Sequence, residues 1–217
     1  MAVYLIAAAL AYLLGSIPTG YLVGRARGID IRKAGSGNIG ATNAFRILGK
    51  TAGTVVLVAD GLKGWLAVTF IPGLVYSWFF QTAWSGHTGE LLPITVGVAA
   101  ILGHNYTCWL KFKGGKGIAT SAGVLAALVP WAFCVMLVVW VVVCLVTRYV
   151  SVASITAAVI LPFVTWFHYQ SMVMTVVIAL LSLLAIYKHK ANIIRLMNGT
   201  ENKVGRRQGP PETGTVS

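Results

Sequence analysis

The sequence predicts an all-α integral membrane protein, a single polytopic helical bundle with about seven transmembrane helices. Of its 217 residues, 57% are hydrophobic and only 10% are charged, whereas soluble domains carry roughly 25% charged residues. The apolar runs are long, and a helical span needs about 20 apolar residues because the bilayer core offers no water to the backbone. The charged residues are confined to a few short polar stretches between these runs, as expected for the loops of such a bundle.

The first half of the chain contains three predicted spans, at residues 2–24, at about 51–72 and at 91–110. The first run is apolar from its start and no basic segment precedes it, so we interpret it as a span and not as a cleaved signal peptide. Basic residues follow the first and third runs, where they would mark the ends of the helices at the membrane surface.

The second half contains two longer apolar runs, 118–147 and 150–187, which Pro130 and Pro162 interrupt. As one helix, the second run would extend about 57 Å, nearly twice the hydrocarbon thickness, so we expect it to turn near residues 168–170. Dividing the first run near Pro130 gives seven segments, one of them short. With the N-terminus outside, seven spans place every Lys and Arg, including Arg148, on the cytoplasmic side. A five-span count would leave Arg148 outside.

The predicted membrane domain covers residues 1–199. Residues 200–217 are polar and rich in Gly and Pro, so we predict a disordered cytoplasmic tail. The chain has 17 Lys and Arg against 5 Asp and Glu, a net charge of +12. In a protein made mostly of spans, such a balance favours anionic lipid or a phosphorylated small molecule over nucleic acid. With so few acidic residues, and cysteines without metal-ligand spacing, we expect no metal and no cofactor.

The polar stretch 35–46, "GSGNIGATNAFR", is the first candidate site. It matches G-x-G-x-x-G, but a dinucleotide site needs a preceding strand, which this sequence does not offer. Glycines still allow backbone N–H groups to approach an anion closely. The side chains add hydrogen-bond donors and a guanidinium suited to phosphate; these residues are Ser36, Asn38, Thr42, Asn43 and Arg46. The alternative is a flexible connector whose Ser and Asn residues cap helices.

The stretch 111–117, "KFKGGKG", combines glycines with basic residues in the same way. It lacks the G-K-[ST] ending of a P-loop, so nucleotide hydrolysis is not indicated. Its alternative is a cluster of lysines that ends a span and binds anionic lipid. Asp60 and Lys63 lie within or at the edge of the second span, where ionisable residues are functional candidates. They could equally form a simple ion pair on a helix surface.

The last helix carries His189, Asn192 and Arg195 at spacings of three residues, which places them on one stripe. His189 could act as a base or bind phosphate. It could also be an interfacial residue between the basic anchors Lys188 and Lys190. Two other patterns are missing: no His is followed by the Asp of H-x-x-x-x-D, typical of acyl-CoA acyltransferases of glycerolipids, and the D-G-x-x-A-R pattern of CDP-alcohol phosphatidyltransferases is absent.

Taken in order, these stretches resemble the bacterial acyl-phosphate:glycerol-3-phosphate acyltransferases, the PlsY family. The resemblance covers residues 4 to about 199, and several motifs in order make it specific. Its motifs are "GSGNIGATNAFR" at 35–46, "DGLKG" at 60–64, "GHNYTCWLKFKGGKG" at 103–117, "RYVS" at 148–151 and "HKANIIR" at 189–195. One departure is Thr107, where the family often has proline, and we interpret this position as structural.

The resemblance implies acyl transfer from acyl phosphate to the sn-1 hydroxyl of glycerol-3-phosphate, which gives lysophosphatidic acid and phosphate. This is the first acylation of bacterial phospholipid synthesis, and the resemblance implies a multi-pass plasma-membrane protein whose site faces the cytoplasm. Its family site residues carry over to Ser36, Arg46, Lys116, Ser151, His189 and Asn192. We expect no dependence on acyl-CoA, a monomer, contact with membrane lipid, and a weak association with the enzyme that makes acyl phosphate.

From the motifs and the family together we predict two groups of site residues. The predicted catalytic residues are Ser36, His189 and Asn192. The predicted substrate-binding and phosphate-binding residues are Gly37, Asn38, Asn43, Arg46, Lys63, His104, Gly114, Gly115, Lys116, Ser151 and Arg195. Two rival functions share the basic bundle, a permease for an anionic solute and a non-catalytic lipid-binding protein. A permease would carry polar residues at the middle of several spans, whereas these stretches gather on one side.

Overall fold

The computed structural model describes residues 1–81 and 89–205, and within these ranges the chain forms helices and loops with no strand. Two short 3₁₀ turns, Ile31–Lys33 and Cys108–Leu110, lie in the connecting loops. The α-helices in the described ranges are α1 Ala2–Ser16, α2 Thr19–Arg25, α3 Ala41–Ile47, α4 Lys50–Phe80, α5 Leu91–Asn105, α6 Ile118–Leu128, α7 Pro130–Thr147, α8 Val150–Tyr169, α9 Met172–Lys188 and α10 Lys190–Met197.

Close helix contacts build the first half of the bundle, where α1 packs along α5 and α4 packs against both. Small residues allow this approach, as is usual between helices in membranes. A Cβ atom at Gly15 would lie 2.1 Å from the carbonyl oxygen of Ala100, and one at Gly103 would lie 2.2 Å from that of Tyr12. The crossing of α1 and α5 therefore depends on glycine at both positions, and it fixes the end of α5 that leads into the "KFKGGKG" loop.

The second half is a series of antiparallel neighbours, in which α7 packs on α8 and α8 packs on α9. Helix α6 joins the halves, since it packs mainly on α4 and also contacts α5 and α7. An apolar cluster that includes Ile94, Val129, Met174 and Ile178 closes this junction. The segment at residues 26–49 has a small core of its own, which includes Ile31 and Ala44 and packs against Val56 of α4, so this segment is held against the end of that helix.

The predicted divisions of the apolar runs are found in the structure. Helix α6 ends at Leu128 and α7 begins at Pro130, whose missing N–H is tolerated at a first helical position. Helix α8 ends at Tyr169, and Gln170 adopts a left-handed conformation with φ of 50°. The predicted end of the second span near Pro72 is wrong, because α4 continues to Phe80 with Pro72 inside it. The residues after this proline remain apolar, so the helix continues at the cost of one backbone hydrogen bond.

By length and composition, five helical segments of the described residues can cross a membrane. They are Ala2–Arg25, Lys50–Phe80, Leu91–Leu110, Pro130–Thr147 and Val150–Tyr169. The pair α9 and α10, bent by 53°, is a sixth candidate, whereas α6 has only 11 residues. All seven predicted segments are thus helical, but seven full crossings and an outside N-terminus stay predictions.

The predicted disordered tail begins too early in the sequence. Beyond α10 the chain turns back, and residues 200–205 lie against the loop between α7 and α8. The backbone N–H of Val204 donates to the carbonyl of Arg148 over 2.7 Å, and Arg148 Nη2 donates back to the Val204 carbonyl over 3.0 Å. The prediction is therefore wrong for residues 200–205, and its remainder, 206–217, lies outside the described residues.

Candidate active site

A pocket of about 410 Å³ lies where three separate parts of the chain meet. This volume is within the range of about 300–1,000 Å³ that is usual for small-molecule sites. The loop before α3 forms one wall, the "KFKGGKG" loop forms the second, and the junction of α9 and α10 forms the third. The lining residues are Ser36, Gly37, Asn38, Tyr106, Gly114, Gly115, Lys116, Tyr187, Lys188, Lys190, Ala191, Asn192 and Arg195.

The first wall is shaped by Asn43, which lies beneath the loop and is only 2% exposed. Its Oδ1 accepts a hydrogen bond from the backbone N–H of Ser36 over 3.0 Å. Its Nδ2 donates to the carbonyls of Ala34 and Asn38, over 3.1 and 2.9 Å, and also faces that of Ile31. The Asn43 side chain thus organises the loop that presents Ser36, and the structure gives it this role instead of a place in the pocket wall.

The second wall is the glycine-rich loop that carries Lys116. Two backbone hydrogen bonds attach this loop to the end of α5, from Gly114 N–H to the Asn105 carbonyl over 3.2 Å and from Gly115 N–H to the His104 carbonyl over 3.0 Å. The Lys116 ammonium reaches across the pocket and donates to Asn192 Oδ1. Lys116 therefore links the second wall to the third.

The third wall is the bend between α9 and α10, and His189 lies at the bend itself. Its Nδ1 lies 2.7 Å from the Ala185 carbonyl, which can only accept a hydrogen bond. Nδ1 therefore carries a hydrogen, and Nε2 is the ring nitrogen that can accept a proton. His189 is 4% exposed and does not line the pocket surface. Asn192, one turn further, forms part of that surface.

Glu201 is a site residue that the sequence reasoning missed. Its Oε1 accepts hydrogen bonds from Ser151 Oγ over 2.9 Å and Asn192 Nδ2 over 2.6 Å. Its Oε2 accepts from Arg195 Nε over 2.7 Å. One carboxylate from the C-terminal segment thus joins three predicted site residues from α8 and α10. The sequence carried a signal, because Glu201 is one of five acidic residues and follows "HKANIIR" closely.

The electrostatic balance of the pocket is strongly positive. Burial, together with the cations of Arg195 and Arg46, lowers the pKa of Lys116 to about 8, although Glu201 opposes this. Burial raises the pKa of Glu201, but the hydrogen bonds from Asn192, Arg195 and Ser151 outweigh it and hold that pKa below its usual value. A site in which cations depress one another's affinity for protons is one that an anion would stabilise.

Not all predicted residues line the pocket. Ser36, Gly37, Asn38, Gly114, Gly115, Lys116, Asn192 and Arg195 do so. Ser151 and His189 lie behind this surface, and Arg46 lies close enough to Glu201 and Arg195 to interact with their charges. Lys63 and His104, predicted to bind phosphate, lie elsewhere: their side chains are 5% exposed and are paired with Asp60 inside the bundle. Phosphate binding by these two residues is therefore not what the geometry supports.

Two basic residues and two tyrosines of the lining were absent from the prediction. Lys188 lies over the ring of Tyr106, 4.5 Å from its centroid, and donates to the Asn105 carbonyl over 3.0 Å. Lys190 lies 5.0 Å from the ring centroid of Tyr187. The sequence predicts both lysines to be interfacial anchors, because nothing in their spacing distinguishes an anchor from a pocket residue.

Comparison with known proteins identifies the family. The chain matches the sequence model of glycerol-3-phosphate acyltransferases over residues 5–199. It is 44% identical to the glycerol-3-phosphate acyltransferase of Bacillus subtilis strain 168 over 196 residues, 90% of this chain and 94% of that one. It is 42% identical to the enzyme of the same description from Fusobacterium nucleatum over 195 residues, 89% of this chain and 94% of that one.

Solved structures agree in fold as well as in sequence. The crystal structure of PlsY (YgiH), an integral membrane glycerol 3-phosphate acyltransferase, in its glycerol 3-phosphate form, matches with a TM-score of 0.82 and 36% identity. This match covers 93% of this chain and 96% of that chain. The lysophosphatidic acid form matches with a TM-score of 0.79. The resemblance seen in the motifs is thereby confirmed, and the chain belongs to the glycerol-3-phosphate acyltransferase family of integral membrane enzymes.

Proposed function

We propose that this enzyme transfers a fatty acyl group from acyl phosphate to the sn-1 hydroxyl of glycerol-3-phosphate and releases lysophosphatidic acid and phosphate. The observation that supports the proposal most directly is the meeting of two glycine-rich, basic loops in one pocket with the bend of α9 and α10. Both substrates carry phosphate, and the pocket has cations on more than one wall. The proposal includes catalysis without a metal, at a site that faces the cytoplasm.

The chemistry needs positioning and charge more than a strong electrophile. Acyl phosphate is a mixed anhydride and is already activated, so a hydroxyl can attack it once both are aligned. The sn-1 oxygen forms a bond to the carbonyl carbon, the bond from that carbon to the phosphate oxygen breaks, and phosphate leaves with the electron pair. Cationic donors stabilise the negative charge that develops on the carbonyl and phosphate oxygens.

We place one phosphate among Ser36, Arg46 and the nearby backbone, and the other near Lys116 and His189. Glu201 holds Asn192 and Arg195 in the geometry that the second phosphate requires. The hydroxyl proton can pass to His189 Nε2 or to a substrate phosphate, whose second pKa is near 6. The pH-rate profile of His189→Ala separates the two routes. A fall in kcat with loss of an acidic limb supports His189 as base, whereas a change in substrate affinity alone supports the phosphate.

The test of the overall proposal is direct. Purified protein in detergent or lipid is mixed with acyl phosphate and glycerol-3-phosphate, and phosphate release and lysophosphatidic acid are both measured. We expect equal amounts of the two products, no product from acyl-CoA, and the same rate after addition of a chelator. Absence of phosphate release with acyl phosphate would refute the proposed donor. Formation of lysophosphatidic acid from acyl-CoA would show that acyl-CoA is the donor instead.

A further inference from the structure

A second group of ionisable side chains lies inside the bundle, next to the active-site pocket but not part of its lining. We call Asp60, Lys63 and His104 the buried triad. Asp60 Oδ1 accepts hydrogen bonds from Lys63 Nζ over 2.9 Å and from Thr19 Oγ1 over 3.0 Å, and His104 Nδ1 faces it at 3.6 Å. The side chains of the triad are at most 5% exposed. The reaction proposed above does not use any of them.

A buried ion pair needs an explanation, because the cost of removing two charges from water commonly equals or exceeds their attraction. A protein with apolar residues of similar size at these positions would therefore often be as stable or more stable. What a charged pair adds is direction, since a carboxylate accepts hydrogen bonds only along certain lines. The question is which part of the molecule the triad orients.

On one side the triad holds the break between α1 and α2. Lys63 Nζ donates to the carbonyl of Ile17, over 2.9 Å, and Thr19 begins α2. Asp60 thus accepts from Thr19 of α2 and from Lys63 of its own helix α4, and Lys63 in turn connects it to the Ile17 carbonyl. The carboxylate is consequently fixed in position, and its remaining neighbour is the ring of His104.

On the other side His104 supports the loop that carries Lys116. A Cβ atom at Gly115 would lie 2.1 Å from His104 Nε2, so the ring is in direct contact with the Gly115 backbone. The His104 carbonyl accepts the N–H of Gly115, and the Asn105 carbonyl accepts that of Gly114. The ring and the two carbonyls together determine where the loop lies, and Lys116 is its next residue.

We propose that Asp60 is a positioning residue for the active site, which acts through His104 on the Gly114–Lys116 loop and so sets the position of the Lys116 ammonium. The carboxylate faces the Nδ1 edge of the His104 ring at 3.6 Å, an electrostatic contact longer than a hydrogen bond, and the opposite edge of the ring contacts Gly115. A displacement of about 1 Å at a reacting group can cost about 100-fold in rate. The inference rests on the proposed function only for its kinetic readout, because phosphate binding by Lys116 can be measured without turnover.

The first test is Asp60→Asn, which keeps the size of the side chain and removes its charge. The double variant Asp60→Asn with Lys63→Met also removes the ammonium that would otherwise be left unpaired, so it keeps the test valid if the single variant is unstable. The control is Thr165→Val, which removes a hydroxyl that is fully buried but bonds only to Leu161 of its own helix. Binding of inorganic phosphate is measured by titration calorimetry, and KM for each substrate is measured by phosphate release.

In both Asp60 variants we expect phosphate affinity to fall about tenfold and KM for one phosphate-bearing substrate to rise by a similar factor. A mere loss of folded enzyme would lower kcat and leave both of these unchanged. We also expect the alkaline limb of the pH-rate profile to shift, because the pKa of Lys116 depends on its burial and on its distances from Arg195 and Arg46, which a displaced loop would change.

Wild-type phosphate affinity and KM in the folded double variant would overturn the inference, as would failure of the wild-type protein to bind phosphate. Wild-type protein that binds phosphate but forms no lysophosphatidic acid would refute the proposed reaction and leave the binding comparison as the decisive result. A change of the same size in the phosphate affinity and KM of Thr165→Val would also overturn the inference. It would show that the loss of any buried polar group has this effect.

Discussion

Two clusters of charge lie side by side in this enzyme and differ in their access to solvent. The pocket cluster, Lys116, Arg195 and Glu201 with Asn192, borders an open cavity. The buried triad has similar residue types but is enclosed by α1, α2, α4 and α5. In the pocket cluster cations outnumber the carboxylate, so an anion is needed to complete it. In the buried triad the charges pair among themselves, so the structure leaves no place for a ligand.

Burial and hydrogen-bond partners, and not residue type, therefore separate the cation that faces the pocket from the one that is paired inside the bundle. Lys63 and Lys116 both stand beside glycines in motif-like stretches, and the sequence predicts a phosphate-binding role for both. Their partners differ: Lys63 donates to Asp60 and a backbone carbonyl, whereas Lys116 donates to a neutral amide across the pocket. Four predictions test this distinction.

The largest effect is expected for Lys116→Ala. Loss of one cationic donor at a site of developing negative charge costs about 100-fold to 1,000-fold in rate. We expect a fall of this size in kcat/KM while the thermal unfolding temperature stays close to that of the wild type. The matched control is Lys113→Ala, since Lys113 is exposed in the same loop and does not line the pocket. A similar fall in Lys113→Ala would mean that the loop attracts substrate only by its net charge.

The next effect is expected for Gly115→Ala. The added methyl group would lie 2.1 Å from His104 Nε2, so the loop and the buried triad must move apart. We expect kcat/KM to fall about 100-fold, because the displaced loop carries Lys116. Gly73→Ala is the control, because Gly73 lies in α4 with no atom near the added methyl. There we expect unchanged activity and a small gain in stability, about 0.5–1 kcal/mol. Wild-type activity in Gly115→Ala would show that the contact is easily relieved.

A smaller effect is expected for Glu201→Gln. This change keeps the shape of the side chain but removes the charge that pairs with Arg195 and the second acceptor oxygen. Charge-assisted hydrogen bonds are about twice as strong as neutral ones, so we expect kcat/KM to fall about tenfold. The control is Glu90→Gln, whose carboxylate bonds to Ser171 far along the chain from these residues. An increase in activity would mean that Glu201 competes with the substrate phosphate for Arg195 and Asn192.

The smallest effect is a change with pH. The pKa of Lys116 is lowered to about 8. The ammonium is therefore almost fully present below about pH 7 and is lost as the pH rises through about 8. Because kcat/KM reports the free enzyme, we expect it to fall by half near pH 8 and tenfold for each further pH unit, about as a single titration requires. In Lys116→Arg this alkaline limb should disappear over the same range, since a guanidinium stays charged. An identical limb in both proteins would assign it to another group.

Much of the bundle could be predicted because its signals are local. Runs of apolar residues, Pro130 and the polar turn at residues 168–170 each mark a boundary within a few residues of itself. The predicted end near Pro72 failed for the opposite reason. A proline is tolerated inside a long membrane helix when the surrounding bundle stabilises the helix. The residues next to the proline in sequence do not indicate whether such packing exists.

The candidate site was predictable where the residue of a motif also points its side chain into the pocket. Ser36, Lys116, Asn192 and Arg195 lie in such motifs and meet in the pocket. Lys63 and His104 are in motifs too, but whether a charged side chain points to a cavity or to another charge depends on how distant segments pack. Glu201 was missed because polar, Gly-rich and Pro-rich sequence is typical of disorder, while three hydrogen bonds to other elements fix this residue.

The return of residues 200–205 onto the bundle affects where this protein can be cut or extended. The family match ends at residue 199, and a chain shortened there would retain every motif. It would nevertheless lose the carboxylate that joins α8 to α10 and the two hydrogen bonds between Val204 and Arg148. A purification tag or a fluorescent protein should therefore be joined after Gly205, because the family match ends at residue 199, before the segment that is hydrogen-bonded to the bundle.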